Sequence, residues 1–127
     1  MKAILLSALL VFLSNLSFSQ VTMTFDTKES CILENGEFDC LPIKKVDEMM
    51  KSNPDETMFT HVHDEGSDAY YVTSTDHTDE GFVYYVTGTY GDSFVFMIQL
   101  DKNLFKISKR LEGDAYGVLI YTIASVF

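Results

Sequence analysis

The histidines are the side chains of this chain best suited to metal or acid–base chemistry. All three, His61, His63 and His77, lie between Ser52 and Asp101, where every Asp, Glu, Lys or Arg position is acidic. His61 and His63 flank Val62. On a strand, side chains alternate between faces, so the two imidazoles share one face about two residues apart, a spacing that suits binding of Zn²⁺, Cu²⁺ or Ni²⁺ through two nitrogens. His77, Asp64 and Asp79 can complete such a site from neighbouring turns, giving a candidate metal set of His61, His63, His77, Asp64 and Asp79. The plainer alternative is a polar strand face carrying two partly exposed imidazoles, with Val62 turned inward. The run Asp76-His77-Thr78-Asp79-Glu80-Gly81 gathers oxygen ligands that would attract calcium, but it lacks the alternating acid spacing of an EF-hand loop.

The same carboxylates offer a second use. Loops 64–68 and 76–80, through Asp64, Glu65, Asp68, Asp76, Asp79 and Glu80, form a candidate surface for a cationic partner such as a basic exported protein. Complementary charge would speed that encounter and fade with salt. For hydrolysis, sets such as Ser67, His63 and Asp68 can be drawn, but such sets are common in a Ser- and Asp-rich chain. There is no Gly-x-Ser-x-Gly elbow, His-Glu-x-x-His motif, phosphate-binding loop or dinucleotide fingerprint. A phosphate clamp would rest on Arg110, the only arginine, with Lys106 and Lys109. The overall charge of −10 repels nucleic acid, which is therefore not expected as a partner. These residues favour a non-enzymatic exported binding or interaction domain. A divalent-metal-binding domain built on the His-x-His pair is the alternative, and a small secreted hydrolase stands behind both. No cofactor is required, and a divalent cation is the one candidate.

Cys31 and Cys40 are the only cysteines. Between them, Glu34-Asn35-Gly36-Glu37 carries the Asn-Gly pair preferred in a two-residue type I′ hairpin, whose central positions both need positive φ. Counting outward from that turn places Cys31 opposite Cys40 on a non-hydrogen-bonded pair, where Cα atoms lie roughly 4.5 Å apart, inside disulfide range. The spacing predicts a cross-strand staple. In the chain-entropy model, closing that short loop is worth ~2.5 kcal/mol. A redox-active pair would usually show Cys-x-x-Cys at a helix N-terminus, and that spacing is missing.

The elements that must position these groups begin with an export signal. Lys2 precedes the apolar run Ala3–Leu13, and Ser17-Phe18-Ser19 offers small residues before a cut at Gln20. Residues 1–19 read as a cleaved signal peptide and 20–127 as one small exported β-rich domain, periplasmic or extracellular. Losing Lys2 makes the mature chain one unit more acidic. The apolar run is short of the ~20 residues needed to span a bilayer, so no membrane span is expected after cleavage.

After the hairpin, Pro42 breaks the strand, and Ile43, Val46, Met49 and Met50 fall on one helical stripe. This predicts one short helix over 43–52, ending before Asn53-Pro54. From Thr57 on, β-branched and aromatic runs alternate with acidic, Gly-containing turns, predicting strands at 57–63, 69–74, 82–90, 93–100, 104–108 and 116–127, preceded by one at 21–25. In 93–100 the alternation is explicit, with Phe94, Phe96, Ile98 and Leu100 on one face. The fold class expected is α+β, mainly β. It consists of an antiparallel β-meander sheet that can close partly into a barrel, one short helix, and an N-terminal disulfide-stapled hairpin.

Overall fold

The computed structural model describes residues 21–127, so the signal segment 1–19 and its cut before Gln20 lie outside the described residues. Nine antiparallel strands follow in chain order: β1 (Val21–Glu34), β2 (Glu37–Cys40), β3 (Lys44–Ser52), β4 (Met58–His63), β5 (Gly66–Thr78), β6 (Gly81–Gly88), β7 (Ser93–Gln99), β8 (Leu104–Arg110) and β9 (Tyr116–Val126). Each strand from β3 to β9 pairs with the next, and β9 pairs back onto β1. The meander therefore closes fully into an eight-stranded barrel, with β2 as an extra strand on the side of β1.

Strand β1 makes this closure possible by using both of its edges. One edge pairs with β9 from Met23 to Leu33. The other pairs first with β3, from Val21 to Lys28, and then with β2, from Cys31 to Glu34. A bulge between Phe25 and Thr27 shifts the alternation, so that Met23 and Phe25 face the core while Lys28, further along, reaches the interior as well. The single strand β1 replaces the expected separate strand at 21–25 and first arm of the hairpin. The stapled hairpin is thus the far end of β1 and not an N-terminal feature.

The predicted helix over 43–52 is replaced by strand β3, and the one helical element among the described residues is a 3-10 turn at Leu100–Lys102. The physical reason lies in the burial pattern. Glu48, Met50 and Ser52 are buried and Val46 is half-buried, a period of two, while Met49 and Lys51 between them are less enclosed. The open edge of β1 supplies hydrogen bonds for a strand there, and its interior face supplies partners for Glu48. Tertiary pairing overrides the helical stripe.

The barrel interior is packed with aromatic rings. Tyr84 meets Phe59 edge-on at 5.0 Å, and Phe59 meets Phe96 at 5.5 Å. Phe96 and Phe105 lie 5.3 Å apart and Phe105 and Phe25 5.4 Å, and Phe25 stacks on Tyr121 at 4.6 Å. Met23, Met50, Val86, Ile98, Ile107 and Ile123 fill the spaces between. Tyr70 continues the aromatic packing toward one mouth through edge contacts to Phe94 and Phe96 at 5.1 and 5.0 Å. A fully buried apolar side chain of this size contributes ~1.5–3 kcal/mol, so this chain of rings is the main hydrophobic anchor of the barrel.

Two turns show why particular residues are needed. Asn35 and Gly36 have φ of 54° and 79°, the conformation of the predicted type I′ turn. Gly81 starts β6 at φ 151°, and a Cβ there would stand 2.0 Å from the Ile98 carbonyl oxygen, so the close approach of β6 to β7 admits only glycine. Between β6 and β7 the connection is a four-residue loop, Thr89–Asp92, in place of the two residues that the expected strands 82–90 and 93–100 leave, and it is fastened by Gly88 N–H donating to Asp92 O at 2.8 Å. No helix among the described residues is long and apolar enough to cross a membrane.

Candidate functional site

Strand direction sorts the loops into two mouths. The β1–β2, β4–β5, β6–β7 and β8–β9 turns gather at one end, and the β3–β4, β5–β6 and β7–β8 turns at the other. At the first mouth the aromatic filling stops at Tyr70 and Tyr121, and an open cavity of about 720 Å³ begins. Its lining includes Lys28, Glu48, His61, His63, Asp68 and Tyr121.

Glu48 is the centre of this floor. Its Oε1 lies 2.6 Å from His61 Nε2 and accepts a hydrogen bond from the Tyr121 hydroxyl at 3.0 Å. Lys28 Nζ stands 3.7 Å from Oε2 and 5.8 Å from the centre of the Tyr121 ring. Burial holds the His61 imidazole below its ordinary range, and this outweighs the opposing pull of Glu48. The His61–Glu48 contact is accordingly a hydrogen bond from a neutral ring and not an ion pair. A carboxylate only accepts, so Nε2 carries the proton and Nδ1 is the lone-pair nitrogen. Burial, followed by the neighbouring Glu48 charge, raises the Tyr121 hydroxyl far above the usual phenol range, so it stays a donor.

Next to this group, His63 forms a second histidine–carboxylate pair. Its Nδ1 accepts from the Glu65 N–H at 3.3 Å, which puts the proton of a neutral ring on Nε2, where Asp68 Oδ2 lies 2.8 Å away. The two imidazoles are 5.1 Å apart centre to centre. One ligand atom each from His61, His63 and Asp68 falls within a 4.8 Å sphere of mutual distance.

The sequence-derived set is thereby divided. His61 and His63 share a face as expected, but it is the interior one: His61 is buried beside Phe59, and Val62 lies on the opposite face of β4. Asp68, placed on β5 opposite His61, supplies the converging carboxylate, whereas Asp64 sits in the adjoining turn and lines the cavity rim. His77 and Asp79 are at the other mouth. There the His77 ring stacks on Phe82 at 4.8 Å, and the His77 backbone N–H donates to Asp76 Oδ1 at 2.8 Å. The two acidic loops are likewise separated. Asp64, Glu65 and Asp68 stand before and at the start of β5 and Asp76, Asp79 and Glu80 at and beyond its end; even Asp68 and Asp76 are eight extended residues, roughly 26 Å, apart.

Sequence reading missed Glu48, Tyr121 and Lys28. The available signal was the spacing Val46-x-Glu48-x-Met50-x-Ser52, an alternation with polar residues at two inward positions. The second three-residue group that gathers ligand types, Glu29, Cys31 and Cys40, is committed otherwise, because its two sulfurs are joined in the disulfide. That bridge has the predicted register, Cys31 opposite Cys40, with Cα atoms 4.0 Å apart. No protein-family model matches this chain, and no curated protein or solved structure is significantly similar to it.

Proposed function

We propose that this protein is a non-enzymatic binding barrel that holds a divalent transition-metal ion at its open mouth through His61, His63 and Asp68. The observation that carries this reading is the convergence of two imidazoles and one carboxylate at the edge of an open cavity. Two ligands on one tetrahedral ion with bonds of ~2.0–2.2 Å lie about 3.3–3.6 Å apart. The His63–Asp68 pair stands at 2.8 Å and would open by about half an ångström as an ion took the place of the proton they share. The His61 ligand atom lies within 4.8 Å of the other two, so it would have to move closer to join them on one ion. Glu48 and Tyr121 support it from behind, the arrangement by which an outer carboxylate fixes the orientation of a ligating imidazole.

Two nitrogens and one oxygen favour Zn²⁺, Cu²⁺ or Ni²⁺ over Ca²⁺, which prefers six or more oxygens. The disulfide fits an oxidising compartment, consistent with the export signal read at 1–19. Export of the mature domain is part of this proposal.

Isothermal titration of chelator-treated protein with Zn²⁺, Ni²⁺ and Ca²⁺ tests the reading. One Zn²⁺ per chain with micromolar or tighter affinity is expected, with no heat from Ca²⁺. His63→Ala and Asp68→Asn, at positions that carry little of the core, should each weaken Zn²⁺ about 10–100-fold or more. Silent titrations with an unchanged melting temperature, or full affinity in His63→Ala, would remove the metal from the account.

A further inference from the structure

Closing a sheet into a barrel leaves its strands without free edges, yet this chain adds one strand outside the closed set. β2 is bonded to β1 alone, so its outer edge is an open edge of the described sheet. The register identifies which groups face outward. In a two-residue hairpin the flanking pair Glu34/Glu37 exchanges hydrogen bonds, as does Ile32/Asp39, while Leu33/Phe38 and Cys31/Cys40 do not. The N–H and C=O groups of Phe38 and Cys40 therefore point away from β1, a row of two donors and two acceptors. The disulfide at Cys40 holds this row extended.

The side chains along the edge point to what fits it. Phe38 is 59% exposed, Leu41 67% and Ile43 63%, and Ile32 is exposed on the face of Asp39, which it stands opposite. Every charged residue between Lys28 and Lys44 is acidic: Glu29, Glu34, Glu37 and Asp39. Carboxylates alone would serve to keep an edge from aggregating. Large apolar side chains standing bare beside them work against that purpose and supply contact area.

We propose that the β2 edge is a docking strand for an extended polypeptide in which Lys or Arg alternates with apolar residues, added to the sheet as a further strand. The incoming apolar side chains lie against Phe38 and the disulfide, and the basic ones meet Glu37 and Asp39 on the opposite face. A second copy of this chain fits poorly. Two β2 edges related by a two-fold axis bring either Asp39 opposite Asp39 or Glu37 opposite Asp39, and like charges directly opposite destabilise a strand pair. The interface is small, so the complex is weak and salt-dependent.

The test uses the full mature chain with its disulfide intact and with EDTA present, so that it does not depend on the metal site. The probe is a blocked synthetic peptide of about nine residues alternating Lys and Val, long enough to cover the edge. Followed by amide NMR at low salt, it should shift Phe38 and Cys40 and slow their hydrogen exchange. The Glu37→Lys/Asp39→Lys double variant should lose at least about tenfold in affinity, and a Glu/Val peptide should not bind. Phe38→Ala should weaken binding without changing the fold. Shifts confined to the 64–68 turn, binding unchanged by the charge reversal, an equal response to the Glu/Val peptide, or a concentration-dependent dimer in place of peptide binding would each overturn the proposal.

Discussion

Replacing Glu48 tests whether the floor of the mouth is held by its hydrogen bonds or only filled by its atoms. In Glu48→Ala, the Tyr121 hydroxyl and the His61 N–H both lose their acceptor, and Tyr121 is wholly enclosed. Each buried donor left unpaired costs ~1–3 kcal/mol, and the one lost methylene adds ~0.8 kcal/mol. Against this stands relief from burying a carboxylate, a burden already lightened by Lys28 at 3.7 Å. The expected net loss is ~2–4 kcal/mol, or roughly 10–25 °C in Tm for a domain of this size. Glu48→Gln keeps the volume and one acceptor oxygen, and should cost ~1 kcal/mol.

Glu48→Leu decides between the two accounts. It fills the space but accepts nothing, so the hydrogen-bond argument places it between Gln and Ala. If burial of the charge were the dominant cost, Leu would stabilise the barrel, as apolar replacement of buried ionic groups often does. Urea unfolding followed by far-UV circular dichroism gives the order, and ¹⁵N NMR of the His61 ring reports whether the Nε2–H tautomer survives. A Glu48→Leu protein as stable as the parent, with its His61 tautomer unchanged, would refute the assignment of Glu48 as the group that orients His61.

Other consequences follow from the same structure. Reducing Cys31–Cys40 should loosen β2 and cost at most ~2.5 kcal/mol, leaving β9 protected in hydrogen exchange because β1 and β9 pair from Met23 to Leu33 without the bridge. Alkali should destabilise the fold through its buried tyrosines. Burial, with the Glu56 charge and hydrogen bond adding to it, pushes Tyr84 up to about 12 from its ordinary 10, so the folded state favours the neutral phenol. That stabilisation is complete below the unfolded value and is lost as pH climbs from about 10 through about 12, up to ~3 kcal/mol from Tyr84. Tyr84→Phe should flatten its share of the fall, seen as a smaller drop in urea midpoint between about pH 9 and about pH 11.5.

What could be read from the chain alone depended on how far each feature reached for its partners. Asn35-Gly36 sets a turn with residues next to it in sequence, so the hairpin register and the Cys31–Cys40 bridge came out correctly. Phe94, Phe96 and Ile98 announce their face by alternation, and the strands from β4 to β9 follow with small shifts of boundary except β5, which runs over Gly66–Thr78 in place of the expected 69–74. Segment 44–52 behaves differently. Its inward positions hold Glu48 and Ser52, which break the apolar alternation and leave Val46, Met49 and Met50 to imitate a helix.

Those polar residues become intelligible only once the barrel is closed. The partners of Glu48 are 13 and 73 residues away, on β4 and β9, and a third, Lys28, arrives through a bulge in β1. The same closure turns His61 and His63 inward and brings Asp68 to them, while β5 carries His77 and Asp79 to the far mouth. A local pattern therefore singled out histidines and carboxylates but could not tell which of them converge. The selection was made by strand register, and the residue that helical periodicity set outside the buried stripe, Glu48, is the one on which the site is built.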